Sequence, residues 1–267
     1  MARRSLSVLA LSLPLLIGAC AHSVQSSSGA DYLARYDMRN GTVAKASEAA
    51  KTDLSGKESD LERDIREIAS VNPSLYFPAR IGIARVERGS LTSIPADEGA
   101  AWTESAERLG TGYGEFVPIS PLIAEMVSEP VTTGTSSRAA QLVANIRRGA
   151  ARQHLDYVLV YEVNSIQRDK ANALALADLT IIGMFVVPSR TIDAQAQASG
   201  LLLDVRNGYP YATLSAVGDK TGVSRAISES SSKREHGQKA KAEAVENLTL
   251  EFEAALKELA KRAAEAG

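Results

Sequence analysis

Apolar positions alternate between helical and strand spacing along most of the chain. Leu61, Ile65, Ile68 and Val71 recur at helical intervals behind Ser59-x-x-Glu62, which reads as a capping box, and Asn72-Pro73 ends that helix. Arg80 to Val86 reads as a strand. A helix over Asp97 to Leu109 carries Trp102, Ala106 and Leu109 on one face. Phe116 to Ile119 is a short strand, and Ser120-Pro121 opens a short helix with proline at its first position. A Gly/Thr/Ser loop over Thr132 to Ser137 leads into a helix to about Gln153, with Leu142, Ile146 and Ala150 inward. Asp156 to Val163 reads as a buried strand.

The clearest alternation lies at 192–220. Ala194, Ala196 and Ala198 alternate with polar neighbours, and Leu201 to Val205 continue the strand. Asn207-Gly208 predicts a tight primed hairpin turn, and Tyr211 to Val217 returns. After a polar stretch, Ser224 to His236, a last helix near 237–264 shows the stripe Val245, Leu248, Phe252, Leu256 and Leu259. Together these elements predict an α/β (α+β) domain: a mixed β-sheet of about five strands flanked by helices, with a closing β-hairpin and a long C-terminal helix.

The first twenty residues follow another logic. Arg3 and Arg4 precede an apolar run, Leu6 to Ile17, that closes on Ile17-Gly18-Ala19-Cys20. A basic start, a short apolar core and small residues describe an export signal. The apolar run would rise only about 18 Å as a helix against a hydrocarbon core of ~30 Å. Ile17-Gly18-Ala19-Cys20 resembles the bacterial lipobox, which implies cleavage before Cys20 and acylation of that cysteine. Cys20 is the chain's single cysteine, so it has no intramolecular disulfide partner. Multiple acyl chains anchor stably where one chain holds only marginally. Ser5-Leu6-Ser7 fits a twin-arginine signal poorly, which favours the general export route. Ala21 follows the cysteine where an Asp would signal inner-membrane retention, so the expected location is the outer membrane, periplasmic face.

The expected organisation is a signal peptide (1–19), a lipidated flexible tether (20–57) and one α/β domain (58–267). The tether reading rests on Ser26-Ser27-Ser28-Gly29, Asn40-Gly41 and sparse apolar residues. Loss of Arg3 and Arg4 lowers the Lys+Arg count from 30 to 28 against 32 acids, about −4 overall. That balance shows no basic face of the kind nucleic acid requires.

Candidate chemistry is sparse. The histidines are His22, His154 and His236. They assemble neither a Ser/His/Asp set nor a metal cluster with ligand spacing, so no catalytic residue, metal or cofactor is expected. Gly110-Thr111-Gly112-Tyr113-Gly114 follows a helix and precedes a strand, the reverse of a phosphate-binding order. Ser230-x-x-Lys233 matches the nucleophile motif of penicillin-binding enzymes, but in a serine-rich run that lacks its companion motifs. Asp204 is expected to bond turn amides.

Ala79-Arg80-Ile81-Gly82-Ile83-Ala84, Leu155 to Val160 and Gly200 to Gly208 resemble corresponding segments of small α/β envelope lipoproteins. That group includes the curli-secretion lipoprotein CsgG, the N-terminal domain of TolB and lipoprotein activators of cell-wall synthases. Within it, Ile81-Gly82-Ile83-Ala84, Thr180-Ile181-Ile182-Gly183 and Asp204-Val205 look most like the rhombotarget lipoproteins, over roughly residues 75–260. The resemblance implies a place and a shape, with no reaction to transfer. The expected function is a non-catalytic binding or scaffolding domain held to the bilayer through acylated Cys20, with other envelope proteins as partners and self-association as a further expectation. Two alternatives stand beside it. One is a CsgG-like oligomeric export pore, for which Ala171 to Val187 is the one stretch long and apolar enough; the other is a cell-envelope hydrolase.

Overall fold

A computed structural model describes residues 21–48, 60–128, 137–171, 190–224 and 229–266. In chain order the elements are β1 (Ala21–Val24), α1 (Gly29–Glu48), α2 (Asp60–Ala69), β2 (Ala79–Glu87), β3 (Ser90–Thr92), α3 (Ala96–Leu109), β4 (Gly114–Pro118), α4 (Pro121–Met126), α5 (Arg138–Arg152), β5 (Tyr157–Ala171), β6 (Arg190–Asp204), β7 (Pro210–Ser224) and α6 (Glu229–Ala266). The strands form one mixed sheet in the order β1-β7-β6-β5-β2-β3, with β4 also pairing β2. β2 is parallel to β4 and β5, and the remaining pairings are antiparallel.

Helices cover both faces of the sheet. Ile81, Ile83, Tyr157, Leu159, Leu202 and Leu214 point to the face closed by α3 and α6, where Trp102, Leu248, Phe252 and Leu256 meet them. All five apolar residues of the predicted α6 stripe are fully buried. On the other face Ala84, Val158, Leu203 and Val205 pack with Ile146 and Ala150 of α5. Gly218 lets α6 lie close on β7, since a Cβ there would stand 2.4 Å from the Ala240 carbonyl oxygen.

Four expectations need correction. The sheet has seven strands where five were expected. The additions, β1 and β3, are edge strands of 4 and 3 residues, too short to show an alternation of their own. β5 runs on to Ala171, beyond Val163, because the backbone of its second half, which carries charges in sequence, pairs with β6. The hairpin is closed by residues 205–209, not by a two-residue turn: Gly208 N–H donates to the Asp204 carbonyl at 2.9 Å, and Gly208 sits at φ +76°. The last helix starts at Glu229 rather than near 237.

The segment expected to be a flexible tether, 20–57, is ordered where it is described. Ala21–Val24 is a strand of the main sheet and Gly29–Glu48 is helical. Cys20, Ser59, the loop at 132–136 and nearly all of Ala171 to Val187 lie outside the described residues. No described helix is long and apolar enough to cross a membrane.

Candidate functional site: the anchored sheet edge and the hairpin cluster

β1 reaches its place through pairing and through ionic contacts with α6. Ala21 to Val24 pair antiparallel with Ser215 to Ala212 of β7, and Gln25 N–H continues the ladder to the Tyr211 carbonyl at 2.7 Å. Period-2 geometry turns His22 and Val24 toward the face carrying α6. There His22 Nδ1 lies 2.7 Å from Glu251 Oε2, and Nε2 lies 3.5 Å from Glu258 Oε2. Arg262 closes the cluster: it pairs with Glu258 and donates to the Val24 carbonyl at 3.3 Å. Glu258 is therefore ion-paired and Glu251 hydrogen-bonded, and the strand following Cys20 is clamped on its side chains as well as its backbone.

Beyond β1 the chain turns along the end of the sheet. The Tyr209 hydroxyl donates to the Ser27 carbonyl at 2.9 Å, and Gly29 N–H donates to Asn72 at 2.9 Å. Tyr32, Ile68, Val71, Tyr209 and Pro210 line a mainly apolar cavity of about 350 Å³ there.

A polar cluster holds the hairpin at the same end. Asp204 is fully buried. Its Oδ1 accepts from the Arg206 amide at 2.8 Å, and its Oδ2 accepts from the Ser74 hydroxyl at 3.0 Å and the Tyr211 hydroxyl at 3.3 Å. Burial alone would raise its pKa. The Arg206 guanidinium and amide and the Ser74 hydroxyl outweigh that and hold the carboxyl below the ordinary carboxylate value. Burial pushes the Tyr211 hydroxyl up to about 12. The expectation that Asp204 bonds a turn amide holds; the bonds to Ser74 and Tyr211 could not be read from spacing.

A third polar group lies inside the sandwich. Arg85 Nε donates to Glu98 Oε2 at 2.8 Å, and the Tyr161 hydroxyl donates to the same oxygen at 2.8 Å. Burial, together with the Glu98 charge, raises the Tyr161 pKa well above the ordinary phenol value. Arg85 Nη1 also meets Glu87 at 2.9 Å and Thr92 at 3.1 Å, and Trp102, whose ring lies beside Tyr161, lines a cavity of about 510 Å³ with Ile94, Pro95, Phe116, Pro118 and Ser120.

The motifs singled out in the sequence do not converge. His154 sits at φ +57° at the end of α5, while His22 is clamped at the β1 edge. Gly110 ends α3 at φ +77°, and Gly114 begins β4 so close to Ala79 that a Cβ would stand 1.8 Å from its carbonyl oxygen. That run is a tight helix-to-strand connection. Ser230 and Lys233 fall within α6. Among the described residues no group of three His, Cys, Asp or Glu could hold a metal ion.

No protein-family model matches the chain, and no curated protein matches it. Among solved structures the chain is similar to lipoprotein GNA1162 from Neisseria meningitidis, at 16% identity over 60% of this chain and 97% of that one, with a TM-score of 0.29. It is also similar to the PelC dodecamer from Paraburkholderia phytofirmans, at 15% identity over 66% and 92% of the two chains, with a TM-score of 0.27. A third likeness is to the hypothetical protein CT253 from Chlamydia trachomatis, at 12% identity over 69% and 95%, with a TM-score of 0.22. At these values the likenesses transfer no function.

Proposed function

We propose that this chain is an exported lipoprotein of the bacterial envelope, of the rhombotarget type, tethered through acylated Cys20 to the periplasmic face of the outer membrane, whose α/β domain binds or scaffolds other envelope components without catalysing a reaction. The observation that carries the reading is the strand that follows Cys20. Ala21–Val24 is built into the main sheet and clamped to α6, which suits a mature protein beginning at Cys20 better than an incidental leader. The non-catalytic part is supported by the buried charged groups among the described residues, Asp204, Glu98, Arg85 and Glu253, each of which is engaged by neighbouring side chains.

The pore alternative has one supporting feature: β5, β6 and β7 are each 15 residues long and extend past the rest of the sheet. Against it, the described residues on the face of this extension away from α6 include the exposed Glu162, Asn164, Gln195, Gln197 and Asp219, side chains suited to water and not to lipid.

Replacing Cys20 by Ser tests the anchor. Export should persist, palmitate incorporation should vanish, and the protein should leave the membrane fraction. A Cys20→Ser protein that still pellets with membranes overturns the reading.

A further inference from the structure

We infer that the β1 edge of the sheet is the side of the domain that meets the bilayer, its partner being the phospholipid headgroup layer. The inference rests on acylation of Cys20. It follows from the length of chain between the anchor and the fold.

Consecutive Cα atoms are 3.80 Å apart. Ala21 is already paired with Ser215, so the acylated residue is one peptide step from the sheet. A flexible tether over 20–57 would reach on the order of 100 Å and impose no orientation. A strand held by its ladder, by His22 against Glu251 and Glu258, and by Arg262 on the Val24 carbonyl imposes one. Acyl chains inserted in the leaflet must draw the edge of β1 down to the headgroups.

The electrostatics of that flank agree. Of the two carboxylates at that flank, Glu258 is paired with Arg262 and Glu251 is hydrogen-bonded by His22, so neither faces the headgroups without a partner. The strand order sets the far limit. β3 is five inter-strand spacings from β1, so it stands about 24 Å away across the sheet at ~4.8 Å per strand. The domain thus sits edge-on, presenting its β2–β3–β4 side to the periplasm.

The test uses the lipidated, processed protein in vesicles of phosphatidylethanolamine and phosphatidylglycerol that carry a headgroup-attached quencher. Fluorophores are placed singly on Thr213→Cys, opposite Ser23 at the β1 edge, and on Ser90→Cys in β3; both positions are exposed. Quenching should be several-fold stronger at position 213 than at 90. Adding His22→Ala and Arg262→Ala, which undo the clamp and leave Cys20 intact, should shrink the difference. Flotation with the vesicles but equal quenching at both positions, or stronger quenching at 90, overturns this inference alone. Failure to float overturns the anchoring reading, and this inference with it.

Discussion

Arg85 and Glu98 meet at 2.8 Å with both side chains buried, on the face of the sheet closed by α3 and α6. A buried pair adds little net stability over an apolar replacement, but losing Glu98 leaves the buried guanidinium only the half-exposed Glu87, at 2.9 Å, as counter-charge. Glu98→Ala should therefore cost up to about 3–5 kcal/mol in urea unfolding, the full amount being reached only where no counter-charge remains. A triple variant, Arg85→Met with Glu98→Leu and Tyr161→Phe, should recover most of that loss. A triple variant no more stable than Glu98→Ala would show that the pair does more than neutralise itself.

Asp204 makes stability depend on pH in a definite direction. Its folded pKa is depressed, so folding favours the ionised carboxylate. The stabilisation is fully present above the unfolded value of about 3.9 and is lost as pH falls through the lower folded value. Asp204→Asn should cost about 1–3 kcal/mol near neutrality, as expected for a hydrogen-bonded charge. The gap between wild type and variant should narrow on acidification below about pH 4. Urea titrations at pH 7 and pH 3 check this, and a gap that widens in acid is incompatible with the assignment.

The C-terminal helix belongs to the core. Val245, Leu248, Phe252, Leu256 and Leu259 are fully buried. At ~1.5–3 kcal/mol each, their burial contributes roughly 7–15 kcal/mol gross. Net stability of a domain is only about 5–15 kcal/mol. Truncation after Glu243 should abolish the cooperative thermal transition, and an unchanged midpoint would contradict this packing.

At Gly218 the backbone of α6 lies close on β7. A Cβ would lie 2.4 Å from the Ala240 carbonyl oxygen and 2.5 Å from the Ala244 nitrogen, backbone atoms that cannot step aside. Gly218→Val should destabilise by about 1–3 kcal/mol or more, as overpacking does, while Thr213→Val at an exposed position should be nearly neutral. Equal melting temperatures for the two would argue against the close helix.

The scaffold and pore readings separate on liposomes. The lipidated protein should leave dye-loaded vesicles intact. Dye release that disappears when Phe185 and Val187 are changed to Asp in a still-folded protein would favour the pore.

Long amphipathic elements were legible because their own side chains write the pattern. Ala196 and Ala198 are buried between exposed Gln195 and Gln197, as period two requires, and the α6 stripe is buried throughout. β1 and β3 were not legible, because short edge strands draw stability from a neighbour's open backbone edge. The charged second half of β5 is a strand for the same reason. The clamp at β1 was beyond any local reading: His22 and Glu251 are separated by 229 positions, and each alone looks like an ordinary surface residue. The sequence by itself determined an α/β domain and a buried last helix, and it predicts an export signal that ends before Cys20. Tertiary structure alone decided that the residues after Cys20 join the sheet, because the long-range pairing of backbone edges and opposite charges leaves no periodic trace in the chain.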